Sequence, residues 1–143
     1  MAIGRVLAVD PGSHRVGLAL SDESATVATP LRTLDADPTA TLPARIAEVA
    51  REVAATEVVV GLPRRLDGTH GPEAAAARRL ASDLRAATRL PVAVFDERLS
   101  TAQAERELLA RGMTRRRRRA VVDQVAAALI LQSFLERRGG RDS

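Results

Sequence analysis

Three carboxylates in this chain stand where an apolar element ends or turns inward. Asp10 follows the apolar run Val6–Val9, Glu97 comes just after Pro91–Phe95, and Asp123 sits early in a long helical pattern. The neighbours of Asp123 at i+3, i+4, i+7 and i+11 are Ala126, Ala127, Ile130 and Phe134. That spacing puts Asp123 on the inward stripe of its helix. A lone carboxylate there is costly to desolvate; a metal ion, an arginine or a second carboxylate sharing a cation would offset the cost. Oxygen ligands without His or Cys suit Mg²⁺ or Mn²⁺ rather than Zn²⁺. Acidic clusters holding such ions activate water and stabilise in-line displacement at phosphorus.

Each carboxylate also has a plainer reading. Asp10 before Pro11-Gly12 is a good turn opener. Glu97 can pair with Arg98 or sit near the next helix N-terminus. Asp123 can pair with Arg119 at i−4. Asp96 rivals Glu97, because a slip of one residue turns the other side chain inward. The joint placement of the three favours the functional reading.

The second chemical signal is arginine. All 22 basic residues are arginines, against 18 acids, for a net charge of +4. Residues 98–119 hold eight of them against Glu105 and Glu107, and the rest of the chain is slightly acidic. The positive charge is therefore a local patch, suited to a polyanion. Arg115, Arg116, Arg117, Arg118 and Arg119 run consecutively into the helix that carries Asp123. A solvated helix face is the usual reading of such a run. Its position here favours phosphate contacts, which are independent of sequence and sensitive to salt. Arg15 follows the glycine-containing turn Asp10–Ser13, and Arg64, Arg65 and His70 lie in the heavily punctuated stretch Gly61–Pro72. Loops of that length are often binding loops or lids. Phe95 and Phe134 are the only aromatic residues, so the chain lacks an aromatic platform for stacking bases.

The elements that position these groups can be read from periodicity. Arg5–Val9 and Val16–Leu20 read as an antiparallel pair of strands, with a third short strand near Thr29–Thr33. Thr39–Ala54 has helical spacing, and Glu57–Val60 reads as a strand covered on both faces. Glu73–Thr88 is a second helix and Pro91–Phe95 another buried strand. Ser100–Arg111 is a helix opened by the capping box Ser100-x-x-Gln103. Arg115–Arg138 is helical after a loose basic start, with Gly139-Gly140 as its stop and a frayed tail over 139–143. The order β-β-β-α-β-α-β-α-α predicts an α/β domain over 1–138 with a mixed sheet and helices on both faces.

Composition bounds the rest. The 143 residues suit one domain, and 45% apolar residues can fill an aliphatic core. There is no cysteine, which excludes disulfides, thiolate zinc sites and cysteine nucleophiles. No apolar run approaches the span of a bilayer and no signal-peptide pattern opens the chain. A cytoplasmic protein without a membrane partner is expected.

The chain resembles the YqgF/RuvX family of the RNase H-like nuclease superfamily. The resemblance rests on Asp10-Pro-Gly-x-x-Arg15-x-Gly17-x-Ala19, Gly61-Leu-Pro63 with Asp67-Gly68 and Gly71-Pro72, Asp96-Glu97-Arg98-Leu-Ser-Thr101, and Val122-Asp123-x-x-Ala126-Ala-x-Leu-Ile-Leu-Gln132. It implies an RNase H-like fold with a five-stranded mixed sheet, and Asp10, Glu97 and Asp123 as catalytic and metal-binding carboxylates. Arg15, Arg64, Arg65, Arg98 and Arg115–Arg119 would contact nucleic acid. It also implies a nuclease that matures the 5′ end of pre-16S rRNA with Mg²⁺ or Mn²⁺, on structured RNA or a pre-ribosomal particle. Many nucleases of the superfamily carry an acid at the end of the fourth strand. This chain has Gly61-Leu62-Pro63 there, so Glu97 would have to substitute.

Three other readings stand beside this one. A Holliday junction resolvase would use the same chemistry on branched DNA and needs two facing sites, hence a homodimer rather than a monomer. A non-catalytic RNA-binding assembly factor would keep the arginines and use its carboxylates structurally. An actin-like phosphotransferase would need two such domains closing on a nucleotide, and this chain supplies one.

Overall fold

A computed structural model describes residues 4–63, 71–102, 105 and 115–141. The chain opens with two strands, β1 (Arg5–Pro11) and β2 (Arg15–Ser21), joined by a tight turn in which the Gly12 amide donates to the Arg15 carbonyl at 3.0 Å. β3 (Ala28–Asp35) adds antiparallel to β2. It is longer than the expected strand because Pro30 falls at a register shift beside Leu18/Ala19, so the ladder absorbs its missing donor.

One 3₁₀ turn (Thr39–Thr41) leads into α1 (Leu42–Glu52). Arg45 braces this entry, donating to the carbonyls of Asp35 at 2.7 Å and Pro38 at 3.0 Å. β4 (Ala55–Leu62) then runs parallel to β1. α2 (Pro72–Thr88) follows, with Pro at its first position, and β5 (Val92–Asp96) runs parallel to β4. The sheet order is β3-β2-β1-β4-β5. Parallel strands need crossovers, and α1 and α2 supply them. α3 (Arg115–Arg141) closes the chain.

The two faces of the sheet hold separate cores. Leu7, Val9, Leu18, Val58 and Val60 point towards α1 and α2. Val6, Ala8, Ala19, Val59 and Phe95 point towards α3, against Ala126, Ala127, Ile130 and Leu131. The helical stripe expected below Asp123 is therefore the packed face. The C-terminal half of α3 is pinned by a T-shaped contact between Phe95 and Phe134 at 5.7 Å, with Arg138 stacked on Phe134 and bonded to Glu57 at 2.5 Å.

Both ends of the expected last helix differ. α3 is helical from Arg115 itself, without a loose start, because arginine is a good helix former. It also runs through Gly139-Gly140 to Arg141. A glycine ends a helix when it takes the left-handed conformation, and among the described residues Gly4 is the one glycine with positive φ. Most of the expected helix Ser100–Arg111, including Gln103 of its capping box, lies outside the described residues. Its first turn begins as expected, with the Ser100 hydroxyl accepting from the Ala102 amide at 3.3 Å and Glu105 donating to Thr101 at 3.0 Å.

Candidate active site

The parallel strands β1, β4 and β5 end on one side of the sheet, and the three carboxylates gather there. β1 alternates, with Val6 and Ala8 facing α3, so Asp10 faces α3 too. It is 5% exposed. Across the β1–β2 ladder its partner is Gly17. A Cβ on Gly17 would overlap the carbonyl oxygen of Asp123. The bare glycine face thus lets the backbone of α3 rest on the sheet beside Asp10, which brings Asp123 to the cleft.

On β5 the choice between neighbouring acids is made by a turn. Residues Glu97–Leu99 form one 3₁₀ turn capped by Asp96, whose carboxylate accepts from the Arg98 amide at 2.9 Å. Asp96 also binds the Arg98 guanidinium at 2.9 Å, a bond that raises the already high pKa of Arg98. Asp96 thereby serves the turn, and Glu97 lines the cleft. The stem of Glu97 passes over the end of β4: a Cβ on Gly61 would stand 3.4 Å from its Cγ and 3.1 Å from Ile130 Cδ1. Glu97 therefore fills the space that a side chain at the end of β4 would need.

Asp123 is held by Arg15, whose Nε donates to Oδ2 at 2.9 Å. This arginine had no expected role at Asp123. The two lie 108 residues apart and meet only because the β1–β2 turn places Arg15 under the start of α3.

Asp10, Glu97 and Asp123 share one open cleft of about 780 Å³, whose far wall comes from the 3₁₀ turn before α1 and from α2. Glu73 and Asp83 of α2 also line it, which sequence reading did not find. The signal available for Glu73 was Gly71-Pro72, which places it at a helix start on the ligand-binding end of the sheet. Among the described lining residues there are five carboxylates and one cation, Arg79. A phosphate enters such a cleft only with positive charge supplied from elsewhere. The all-oxygen donor set fits a hard divalent cation. As the side chains stand, however, no three described His, Cys, Asp or Glu residues are grouped to hold one ion.

The other expected contacts distribute as follows. Arg98 is exposed and paired with Asp96. Arg115–Arg119 form the first turns of α3, with only their backbone described. Arg64, Arg65 and His70 lie outside the described residues.

This architecture has counterparts. A family model described as "RuvX: Holliday junction resolvase" matches residues 4–137. The chain belongs to the RuvX family. A relative from Anaeromyxobacter dehalogenans, named "Putative pre-16S rRNA nuclease", is 49% identical over 94% of this chain and 98% of its own. One of the same name from Moorella thermoacetica is 45% identical over 94% of this chain and 96% of its own. Among solved structures, T. thermophilus RuvC in complex with a Holliday junction substrate superposes with a TM-score of 0.60 at 21% identity, covering 96% of each chain. A second Thermus thermophilus RuvC structure gives 0.59 at 19%, over 95% of this chain and 96% of that one. The fold is thus RNase H-like, as the sequence resemblance implied, and membership of RuvX places the chain among nucleases, hydrolases of ester bonds. Among the described residues no helix is long and apolar enough to cross a membrane.

Proposed function

We propose that this RuvX chain is a divalent-metal-dependent nuclease that hydrolyses phosphodiester bonds in structured RNA during 5′-end maturation of pre-16S rRNA, in the cytoplasm. The observation that carries this reading is the meeting of Asp10, Glu97 and Asp123, from β1, the turn after β5 and α3, in one acidic cleft. The names of the relatives support the choice of RNA.

In this reading Asp10, Glu97 and Asp123 hold Mg²⁺ or Mn²⁺. The bound ion supplies charge neutralisation at the phosphate and a more acidic water. The protein's own part is placement. Asp10 is buried at a strand end and gives a rigid ligand; Glu97 on its longer stem reaches across Gly61; Asp123 arrives on α3. Arg15, Arg64, Arg65, Arg98 and Arg115–Arg119 supply the cationic contacts to the RNA backbone.

Cleavage of an end-labelled 16S precursor leader in Mg²⁺ or Mn²⁺ tests this. Wild type is expected to cut, and Asp10→Asn to bind the RNA without cutting. Equal cutting by a clean Asp10→Asn preparation would overturn it. The family description supports a second reading, cleavage of four-way DNA junctions. Symmetric cutting of an immobile junction by a dimer, lost in Asp10→Asn, would favour that reading. Binding of RNA with no metal-linked stabilisation would leave an assembly factor.

A further inference from the structure

We propose that Arg15 is an exchangeable internal counter-ion. It holds Asp123 while the cleft is free of ions, and it is released when a divalent cation takes that carboxylate. The inference rests on the metal-nuclease reading above and adds a role for a residue assigned there only to the RNA backbone.

Four observations carry it. Asp123 lies on the packed stripe of α3, where an uncompensated carboxylate is costly, and Arg15 Nε supplies the compensation at 2.9 Å. The pair is not sealed in: the side chains are 33% and 22% exposed, so either partner can be exchanged without unpacking the core. The cleft is strongly acidic among its described lining residues, a setting that attracts a dication. No three described carboxylates are grouped around a common point. Exchange would free Asp123 Oδ2 from Arg15 for an ion shared with Asp10 and Glu97.

The exchange has a consequence for substrate. Arg15 begins β2, and its backbone is fixed by the turn bond to Gly12 and by pairing with Asp35 of β3. Once off Asp123, its guanidinium remains beside the cleft with its donors unspent. A phosphodiester is the chemistry that fits this planar fork. Ion loading and phosphate binding then favour one another, because each takes one partner out of the Arg15–Asp123 pair and frees the other, and such coupling is reciprocal.

Calorimetric titration with Mn²⁺ alone, at fixed ionic strength, tests the exchange on wild type, Arg15→Gln, Arg15→Lys, Arg79→Gln, Asp10→Asn and Asp123→Asn. Arg15→Gln is expected to bind Mn²⁺ about two- to fivefold more tightly than wild type, the scale of a partly exposed ion pair removed as a competitor. Arg15→Lys should fall between the two. Arg79→Gln removes a charge from the same cleft without touching the pair and should change affinity less. In EDTA, Arg15→Gln should melt below wild type, and saturating Mn²⁺ should narrow the gap. Unchanged or weaker Mn²⁺ binding by Arg15→Gln, with wild-type binding still dependent on Asp123, would overturn the exchange alone. Equal tightening by Arg79→Gln would overturn it too, leaving only a general field effect. If neither Asp10→Asn nor Asp123→Asn weakens Mn²⁺ binding, the metal-nuclease reading falls and the exchange falls with it.

Discussion

The carbonyl oxygen of Asp123 lies where a Cβ on Gly17 would have to be. Gly17 is also the ladder partner of Asp10. One missing side chain therefore sets the distance between the strand carrying the first carboxylate and the helix carrying the third. Gly17→Ala must push α3 away from β2. An overpacked contact against backbone costs about 1–3 kcal/mol, so the denaturation midpoint should fall by that scale. Mn²⁺ affinity should weaken as well, because Asp123 moves with the helix. A variant with wild-type stability and affinity would show that α3 sits elsewhere.

Glu97 and Asp96 should separate cleanly. Asp96 caps the 3₁₀ turn and binds Arg98, whereas Glu97 lines the cleft. Glu97→Gln is expected to lower the cleavage rate about a hundredfold or more, the scale of losing several kcal/mol of charge stabilisation, with little change in melting temperature. Asp96→Ala should lower stability by about 1 kcal/mol, as lost caps do, and cut far more RNA than Glu97→Gln. The reverse ranking in a paired cleavage and melting experiment would assign the ligand to Asp96.

Much of this arrangement was legible beforehand, because it depends on local pattern. Buried runs ending at Asp10 and near Glu97, and the 3.6-residue stripe below Asp123, are visible in the chain itself. Gly17 and Arg15 were visible only as a glycine and a cation after a turn. Their roles come from contacts with a helix more than a hundred residues later, and no window of sequence holds both partners. The end of α3 is hidden for a related reason: Gly139-Gly140 lowers helix propensity, but a stop needs a left-handed residue, which composition does not reveal.

Asp22 should give the fold a local acid sensitivity. Its carboxylate accepts from the Ser24 hydroxyl and from the amides of Val27 and Thr26, closing the loop between β2 and β3. These bonds, led by that from Ser24, hold its pKa well below its ordinary 3.8. A depressed carboxylate stabilises the folded state fully above its unfolded pKa and loses that contribution as pH falls towards the folded one. Asp22→Ala should therefore melt below wild type at pH 6–7, with the gap narrowing below about pH 4. A gap that is constant from pH 7 to pH 3 would show that the loop does not depend on the charge.

The arginine run predicts how RNA binding responds to salt. Arg115–Arg119 are five consecutive cations at the start of α3, upstream of Asp123 on the same helix. If they meet phosphates, each contact releases condensed counterions, and log affinity falls with log salt by about 0.7 per contact on single-stranded RNA. Replacing all five with Gln should weaken binding to the 16S precursor leader at low salt and flatten the slope by up to roughly 3.5. A helix has several faces, so not all five can meet one RNA strand, and a change of about 2 is the expected outcome. Mn²⁺ affinity in the same variant should change little, because the run lies about a turn or more before Asp123 on the helix and salt screens charges at that range. Filter binding across a salt series measures the slope. An unchanged slope would make the run a solvated helix face and leave Arg15 and Arg98, with Arg64 and Arg65, to hold the RNA.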